Sequence, residues 1–447
     1  MSKLMISVSG MRGVVGYTLD PLLVLKMGNA FGRWVGNRTV VVGGDTRPSH
    51  AMVKSAVVAG LTSAGASVID IGIVPTPTVQ QAVRFHGAAG GVVVTASHNP
   101  EQWNGIKLMN ASGSFLEPEE YDAVMAAYAD TVLEKKAWNG VGFVRTDADA
   151  IARHVDVIMG ALDCRCLAGS PLRVLVDVNH GAGAVADPIL FDKLGMQVSF
   201  LEAAPDGHFA HEPEPLEKNL SALCEAMRSG NYDIGFAQDP DADRLVIVDE
   251  KGRFIGEDYS LGLCIDYILK TVGGVSPQVV VNLSTSRVIE DIVTRYGGRV
   301  TYTKIGEAHV TQGLKALNAV VGGEGNGGVI YPKVGWGRDS LVGMVIALKY
   351  LAESGRSVSE IVSTYPSYVM LREKQALATP EALQQQLAMM KTVFSDGALD
   401  FQDGVKAMFS DSWIHLRPSN TEPIVRIFVE APTVQAANIL LDRAMYA

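Results

Sequence analysis

A chain of 447 residues, 47% hydrophobic and 19% charged, has enough apolar material for two to four domains with buried cores, and disorder is not its default. The formal net charge of -10, from 38 basic and 48 acidic residues, argues against nucleic acid as the main partner. No run of about 18 apolar residues is present to span a membrane.

The opening, MSKLMISVSG, lacks the apolar stretch of a secretion signal. Cys164, Cys166, Cys224 and Cys264 form no C-x-x-C pair, so ordinary reduced thiols in a cytoplasmic protein are expected; a zinc site at Cys164 and Cys166 lacks nearby partners. The 46 glycines point to tight βα turns or backbone-lined ligand loops.

Three stretches repeat one order of strand, helix, glycine and strand. TVVVGG (Thr39 to Gly44) leads through SHAMVKSAVVAGLTSAG to ASVIDIG, with Ser49 as the expected N-cap and Gly65 as the stop. LRVLVDV (Leu172 to Val178) leads through ADPILFDKLG to MQVSFLE, and QVVVNL (Gln278 to Leu283) through SRVIEDIVTRYGG to RVTYTK. Short apolar strands alternating with helices predict parallel α/β units, in three related domains or in one large sheet with similar crossovers. The last eighty or so residues differ. SWIHLRPSNTEPIVRIFVEA reads as two strands around a polar loop and TVQAANILLDRAMYA as a closing helix, a smaller α+β domain. The expected boundaries give domains 1–150, 151–255, 256–365 and 366–447.

Four loops carry candidate chemistry. TASHNP (Thr95 to Pro100) follows the apolar strand GGVVV, whose carboxyl end is where open α/β sheets bind ligands. Ser97 there is a nucleophile if something removes its proton, with His98 adjacent and Lys107 ten residues on; an ST-turn or helix N-cap serine is the plainer alternative. DPDADR (Asp239 to Arg244) sets three carboxylates at alternate positions between IGFA and LVIVD. Such like charges repel unless a cation neutralises them, and oxygen ligands suit a hard ion such as Mg²⁺ or Ca²⁺. A solvated acidic turn and an EF-hand loop are the alternatives, but Arg244 stands where an EF-hand needs glycine. Arg244 could also meet a phosphate oxygen.

GGEGNGG (Gly322 to Gly328) lets a backbone approach a ligand, with Glu324 and Asn326 suited to sugar hydroxyls; a flexible turn is the alternative. RPSNTEP (Arg417 to Pro423) combines the planar fork of Arg417 with Ser419, Asn420 and Thr421 as a dianion clamp, or is a polar hairpin loop. Together the four loops imply phosphoryl transfer to and from a sugar phosphate.

TASHNP, DPDADR, GEGNGG and RPSNTEP, in this order, resemble the signature loops of the α-D-phosphohexomutase superfamily. SGMRG (Ser9 to Gly13), GGDTR and PTPT near Thr76 also match stretches of that family, so the similarity covers essentially the whole chain. The resemblance implies an α/β fold of three related domains with mixed, mainly parallel sheets, plus the smaller C-terminal domain, around a central cleft. It implies that Ser97 is phosphorylated and that Asp239, Asp241, Asp243 and that phosphate hold Mg²⁺. It further implies a hexose 1,6-bisphosphate, as intermediate and activator, that turns over between two transfers. Arg12 matches a charge stabiliser, Lys107 a proton shuttle and Lys304, in TKIGEAH, a ligand-facing position. The expected partner is a sugar phosphate, with no nucleic acid or membrane, and the chain is expected to be a monomer or homodimer.

The sugar loop departs from many members: Asn326 stands where they have Ser, Gly328 where they have His, and Glu307 where some mutases have His. The GE-x-NGG form resembles the phosphoglucosamine mutases of archaeal or Bacteroidetes type, which implies glucosamine phosphate as substrate. The alternatives are a phosphoglucomutase/phosphomannomutase, a phosphatase and a non-catalytic sugar-phosphate sensor.

Overall fold

The computed structural model describes residues 4–7, 10–273, 276–376, 380–418 and 424–445. Each of the three predicted strand–helix–strand stretches folds as such. Thr39–Gly44, His50–Ser63 and Ser67–Ile73 make the first; Val174–Asp177, Gly183–Leu194 and Val198–Leu201 the second; Gln278–Asn282, Val288–Arg295 and Arg299–Thr303 the third. In each, the two strands pair in parallel.

The first sheet has seven strands and is mixed. Thr39–Gly44 lies between Ser67–Ile73 and Gly90–Val94, parallel to both. Beyond Gly90–Val94 the strands Trp103–Asn110 and Gly10–Val14 follow antiparallel. Gly90–Val94 is buried along its whole length, as a central strand covered on both faces should be. Phe31, Val42, Leu61, Val92 and Ile106 belong to the core over this sheet.

The helix Pro21–Val35 starts where Asp20 Oδ1 accepts from the backbone N–H groups of Leu22 and Leu23 at 2.8 and 2.9 Å. It packs on His50–Ser63 so closely that a Cβ on Gly60 would stand 2.2 Å from the Leu25 carbonyl oxygen. Ser49 occupies the N-cap position of His50–Ser63 but makes no capping bond. Its hydroxyl accepts instead from Asn104 Nδ2 at 2.8 Å, tying the helix start to the strand Trp103–Asn110.

The second sheet orders Leu245–Val248, Ile234–Gln238, Val174–Asp177 and Val198–Leu201, with the first pair antiparallel. In the third, Gln278–Asn282 lies parallel between Arg299–Thr303 and Val321–Glu324. The fourth is antiparallel throughout, with Trp413–Pro418 and Ile424–Ala431 at its centre and the helix Val434–Met445 against it. The α/β units and the antiparallel C-terminal sheet therefore make a four-domain α/β architecture.

The chain gathers into two compact units. One holds residues 1–260 with 327–360, the other 261–326 with 361–447. Within the first, Asp339 Oδ1 caps the helix Ser340–Ser354 by accepting from Leu341 and Val342 N–H, and residues Ser340 to Leu351 of that helix are buried.

Candidate active site

The strand Gly90–Val94 delivers Ser97 and the strand Ile234–Gln238 delivers Asp239, each at its carboxyl end. No helix follows Ser97, since the next element is the strand Trp103–Asn110, so the serine is not an N-cap. Its φ of 52° is in the left-handed region that residues with a side chain seldom enter. Two contacts hold it there: Ser97 N–H donates to Thr95 Oγ1 at 2.8 Å, and Arg47 Nη2 donates to the Ser97 carbonyl at 2.6 Å. Arg47 also donates to the carbonyls of Asn99, Pro100 and Trp103 at 2.6, 2.7 and 3.0 Å, which fixes the whole loop. Behind it, Asp45 Oδ2 accepts from Arg47 Nε at 3.2 Å and from Thr95 Oγ1 at 2.5 Å.

Ser97 Oγ lies 3.3 Å from Asp239 Oδ2 and 3.3 Å from His98 Nδ1. The same His98 nitrogen accepts from Arg244 Nη2 at 2.9 Å. Burial, with Arg244 and Arg12 nearby, pushes the imidazole pKa well below its ordinary value, so His98 is a neutral acceptor here. Arg12, on Gly10–Val14, reaches Asn99 Oδ1 at 3.4 Å and the Ala96 carbonyl at 3.5 Å. Ser9 of the same segment lies outside the described residues.

Asp239, Asp241 and Asp243 are fully buried, which removes the solvated-turn reading. Their loop joins two antiparallel strands with no helix on either side, unlike an EF-hand. Asp239 Oδ1 accepts from the N–H groups of Asp243 and Arg244, both at 3.1 Å. Burial, then repulsion by Asp243 and Asp241, pushes the Asp239 pKa far up. Lys107 Nζ pairs with Asp241 Oδ2 at 2.5 Å and Asp243 Oδ2 at 3.0 Å. Burial alone would lower the Lys107 pKa, but these two carboxylates outweigh it and raise it, so the ammonium stays charged in this arrangement.

One carboxylate oxygen from each aspartate lies within 4.8 Å of the other two. Asp241 Oδ1 and Asp243 Oδ1 are buried and meet no hydrogen-bond partner. Orphaned buried carboxylate oxygens are costly, and a set of anionic oxygens suits a hard divalent cation. These residues fit such an ion.

Two further residues support this loop, and of them only Thr76 lies in a stretch that the sequence singled out. Arg338 Nη2 donates to Asp243 Oδ2 at 2.8 Å. Thr76, from the PTPT stretch, opens the helix Thr76–Phe85 and binds Asp241 twice: its N–H donates to the Asp241 carbonyl at 2.9 Å and its hydroxyl to Oδ2. The family stretches GGDTR and PTPT thus brace the serine loop and the aspartate loop respectively.

The second compact unit carries the other predicted residues. Glu324 is buried, and its Oε1 accepts from Asn282 Nδ2 at 2.9 Å and from Gly306 N–H at 3.1 Å. Gly325 N–H donates to Thr285 Oγ1 at 3.1 Å, which holds the start of the loop bearing Asn326. Lys304 is exposed. Arg417 Nε donates to Asp403 Oδ2 at 3.0 Å, and the same oxygen accepts from Ile305 N–H at 3.2 Å. Ser419, Asn420 and Thr421 lie outside the described residues.

The four domains and the serine, aspartate and glycine-rich loops define a phosphosugar mutase. Successive segments match the alpha/beta/alpha domains I, II and III and the C-terminal domain of the phosphoglucomutase/phosphomannomutase family, over residues 3–134, 152–252, 256–368 and 368–445. A "Phosphoglucomutase/phosphomannomutase" of Thermococcus kodakarensis is 38% identical over 97% of this chain and 96% of its own. A "Probable phosphoglucosamine mutase" of Methanopyrus kandleri is 39% identical over 97% and 95%. The crystal structure of a phosphoglucomutase/phosphomannomutase family protein from Burkholderia thailandensis superposes with a TM-score of 0.85 at 28% identity, covering 99% of this chain and 98% of that one. The chain belongs to the phosphoglucomutase/phosphomannomutase family of α-D-phosphohexomutases, intramolecular phosphotransferases of the isomerase class.

Proposed function

We propose that the protein interconverts hexose 6-phosphate and hexose 1-phosphate, with glucosamine phosphate preferred, through a phosphoryl group carried on Ser97 and a hexose 1,6-bisphosphate intermediate. The observation that carries this reading is the buried Ser97 hydroxyl 3.3 Å from Asp239, at the edge of an aspartate trio that Lys107 and Arg338 contact directly.

In the first transfer a substrate hydroxyl oxygen attacks the phosphorus on Ser97. The new O–P bond forms, the bond to Oγ breaks, and the hydroxyl proton passes to a base. The second transfer reverses these steps at the other phosphate. Mg²⁺ held by Asp239, Asp241, Asp243 and the Ser97 phosphate would offset charge on the transferring group. Arg12 and Arg244 stabilise the spread negative charge of the transferring oxygens. His98, an acceptor from Arg244, orients that guanidinium. We assign the proton transfer to Lys107, on the condition that Asp241 and Asp243 are then neutralised by another partner.

Glu324 and Asn326 are assigned to sugar hydroxyls, Lys304 to the ligand's edge, and Arg417 with Ser419, Asn420 and Thr421 to the non-reacting phosphate. Binding that phosphate orients the reacting hydroxyl. One loop belongs to each of the proposed domains 1–150, 151–255, 256–365 and 366–447. Among the described residues no helix is long and apolar enough to cross a membrane, and none of the four cysteines is in a disulfide; a cytoplasmic location is part of the proposal.

A glucose/mannose preference is the second reading, since the relatives of 38% and 39% identity carry different substrate names. The test is ³¹P NMR of the Mg²⁺-loaded, bisphosphate-primed protein given glucosamine, glucose and mannose 6-phosphates separately. A 1-phosphate signal, strongest with glucosamine and absent in Ser97→Ala, is expected. A signal that persists in Ser97→Ala overturns the phosphoserine route, and a stronger signal from glucose or mannose transfers the preference.

A further inference from the structure

Within the first compact unit, away from Ser97, a groove of about 510 Å³ opens between the helices Thr76–Phe85 and Ala150–Ala161, closed at one end by the segment holding Lys333 and Val334. Its size is that of a small-molecule site, about 300–1,000 Å³. Its floor is apolar, and two of its side chains are large hydrophobics left in solvent: Phe85 is 63% exposed and Val157 39%. Its polar groups are mainly cationic. Arg153 stacks over the Phe85 ring at 4.4 Å, Arg84 stands one residue before that ring, and Lys333 is exposed beside Val334 at the closed end. The carboxylate on the lining is Asp156, already paired with Lys193, while Asp147 and Asp149 pair with Arg153 from outside the lining, which leaves Arg84 and Lys333 as the groove's cations without a carboxylate partner among the described residues. A cationic groove is unusual on a chain of net charge -10.

An exposed aromatic ring beside a guanidinium offers a stacking surface, and the neighbouring cations offer partners for an anion. Such a combination reads a planar ring joined to a phosphate.

The groove is also wired to the catalytic loops. The Val334 carbonyl accepts from Gln81 Nε2 at 2.7 Å and from Arg84 Nη1 at 2.8 Å. Four residues on from Val334, Arg338 binds Asp243. His154, on the groove wall, meets Thr78 Oγ1 at 2.9 Å and Asp339 Oδ2 at 2.8 Å. The two helical elements that shape the groove are thus tied to Thr76 and Arg338, which hold the aspartate loop.

We propose that this groove is a second ligand site, for a nucleoside monophosphate or a like aryl phosphate, and that its occupant acts on the mutase through Val334 and Arg338. The ring lies on Phe85 and Val157, and the phosphate meets Arg84 and Lys333.

The test is calorimetric titration of the intact enzyme with AMP, UMP and inorganic phosphate, with saturating glucose 1,6-bisphosphate present to occupy the catalytic phosphate positions. Phe85→Ala and Lys333→Glu, both at exposed positions outside the catalytic machinery, serve as the variants. Saturable binding of one nucleotide per chain is expected, weakened at least tenfold in each variant, whose basal mutase rates stay at the wild-type value. The mutase rate of the wild type, and not of Lys333→Glu, should shift as the nucleotide is added. Absence of nucleotide binding, or binding that both variants leave intact, overturns the site. Inorganic phosphate binding as tightly as AMP and UMP overturns the ring recognition, and binding without any change in rate overturns the coupling.

Discussion

Arg47 donates to the backbone carbonyl of Ser97 at 2.6 Å, fifty residues along the chain, and to the carbonyls of Asn99 and Pro100 in the same loop and of Trp103 at the start of the next strand. The guanidinium is buried, with Asp45 as its counter-ion. One side chain therefore sets the left-handed turn that presents the serine hydroxyl. Loss of Arg47 leaves Asp45 buried without its cation, and breaking such a pair costs about 3–5 kcal/mol. Arg47→Ala is expected to lose roughly that much in urea unfolding. Arg47→Lys, which keeps the charge but not the fork, should fold yet drop kcat by about 100-fold, as a misplacement near 1 Å does, with KM little changed. Wild-type kcat in Arg47→Lys would show that the loop holds its shape without the fork.

The aspartate trio predicts a metal-dependent gain in stability that is measurable without any turnover. An ion that binds only the folded chain stabilises it by about 2.7 kcal/mol at 100 times its Kd. Mg²⁺ is expected to raise the thermal midpoint of the wild type and to leave that of Asp241→Asn unmoved. Turnover should vanish in the variant and, for the wild type, in excess EDTA. Equal Mg²⁺ shifts in both proteins would place the ion elsewhere.

The strand–helix–strand stretches were legible because local signals carried them: short runs rich in β-branched residues, alternating with helix-forming segments that each end at a glycine. The serine, aspartate and glycine-rich loops were legible because their chemistry is dense within six or seven residues. The supports were not. Arg338 meets Asp243 at a separation of 95 residues and Thr76 meets Asp241 at 165, and neither arginine nor threonine announces such a contact locally. Ser49 shows the opposite limit. A serine before a helix predicts a capping bond, but a tertiary donor, Asn104, takes its hydroxyl.

Arg417 is held from behind by Asp403, which also accepts from Ile305 N–H. If it binds the non-reacting phosphate, Arg417→Ala should raise KM by roughly the 1.5–3 kcal/mol of a charged hydrogen bond, about tenfold or more. Asp403→Asn, which keeps an acceptor for both donors but loses the charge, should raise KM less. Steady-state kinetics with a 6-phosphate substrate separates these outcomes. An unchanged KM in Arg417→Ala would place that phosphate elsewhere.

Asp187 sits fully buried on the helix Gly183–Leu194, one oxygen accepting from Gln238 Nε2 at 3.3 Å and the other without a partner. Burial pushes its pKa up to about 8. In an unfolded chain the same carboxyl loses its proton near pH 4, by about 3.9. Between those values the folded state holds a proton that the unfolded state has released. Its contribution to stability is therefore greatest below pH 4, falls by about 1.4 kcal/mol per unit as pH rises, and levels off above pH 8. Asp187→Asn keeps an acceptor for Gln238 and has nothing to ionise, so this slope disappears. Urea unfolding at pH 5 and pH 7.5 should show the variant gaining on the wild type by roughly 3 kcal/mol across that interval. A constant difference would mean that Asp187 is already ionised in the fold. Gln238 also donates to Ser340 Oγ at 2.8 Å, and Ser340 Oγ donates to the Ala242 carbonyl at 2.6 Å. A neutral Asp187 thus lets the strand that leads into Asp239 and the helix that follows Arg338 share one buried network without a further charge beside the aspartate trio.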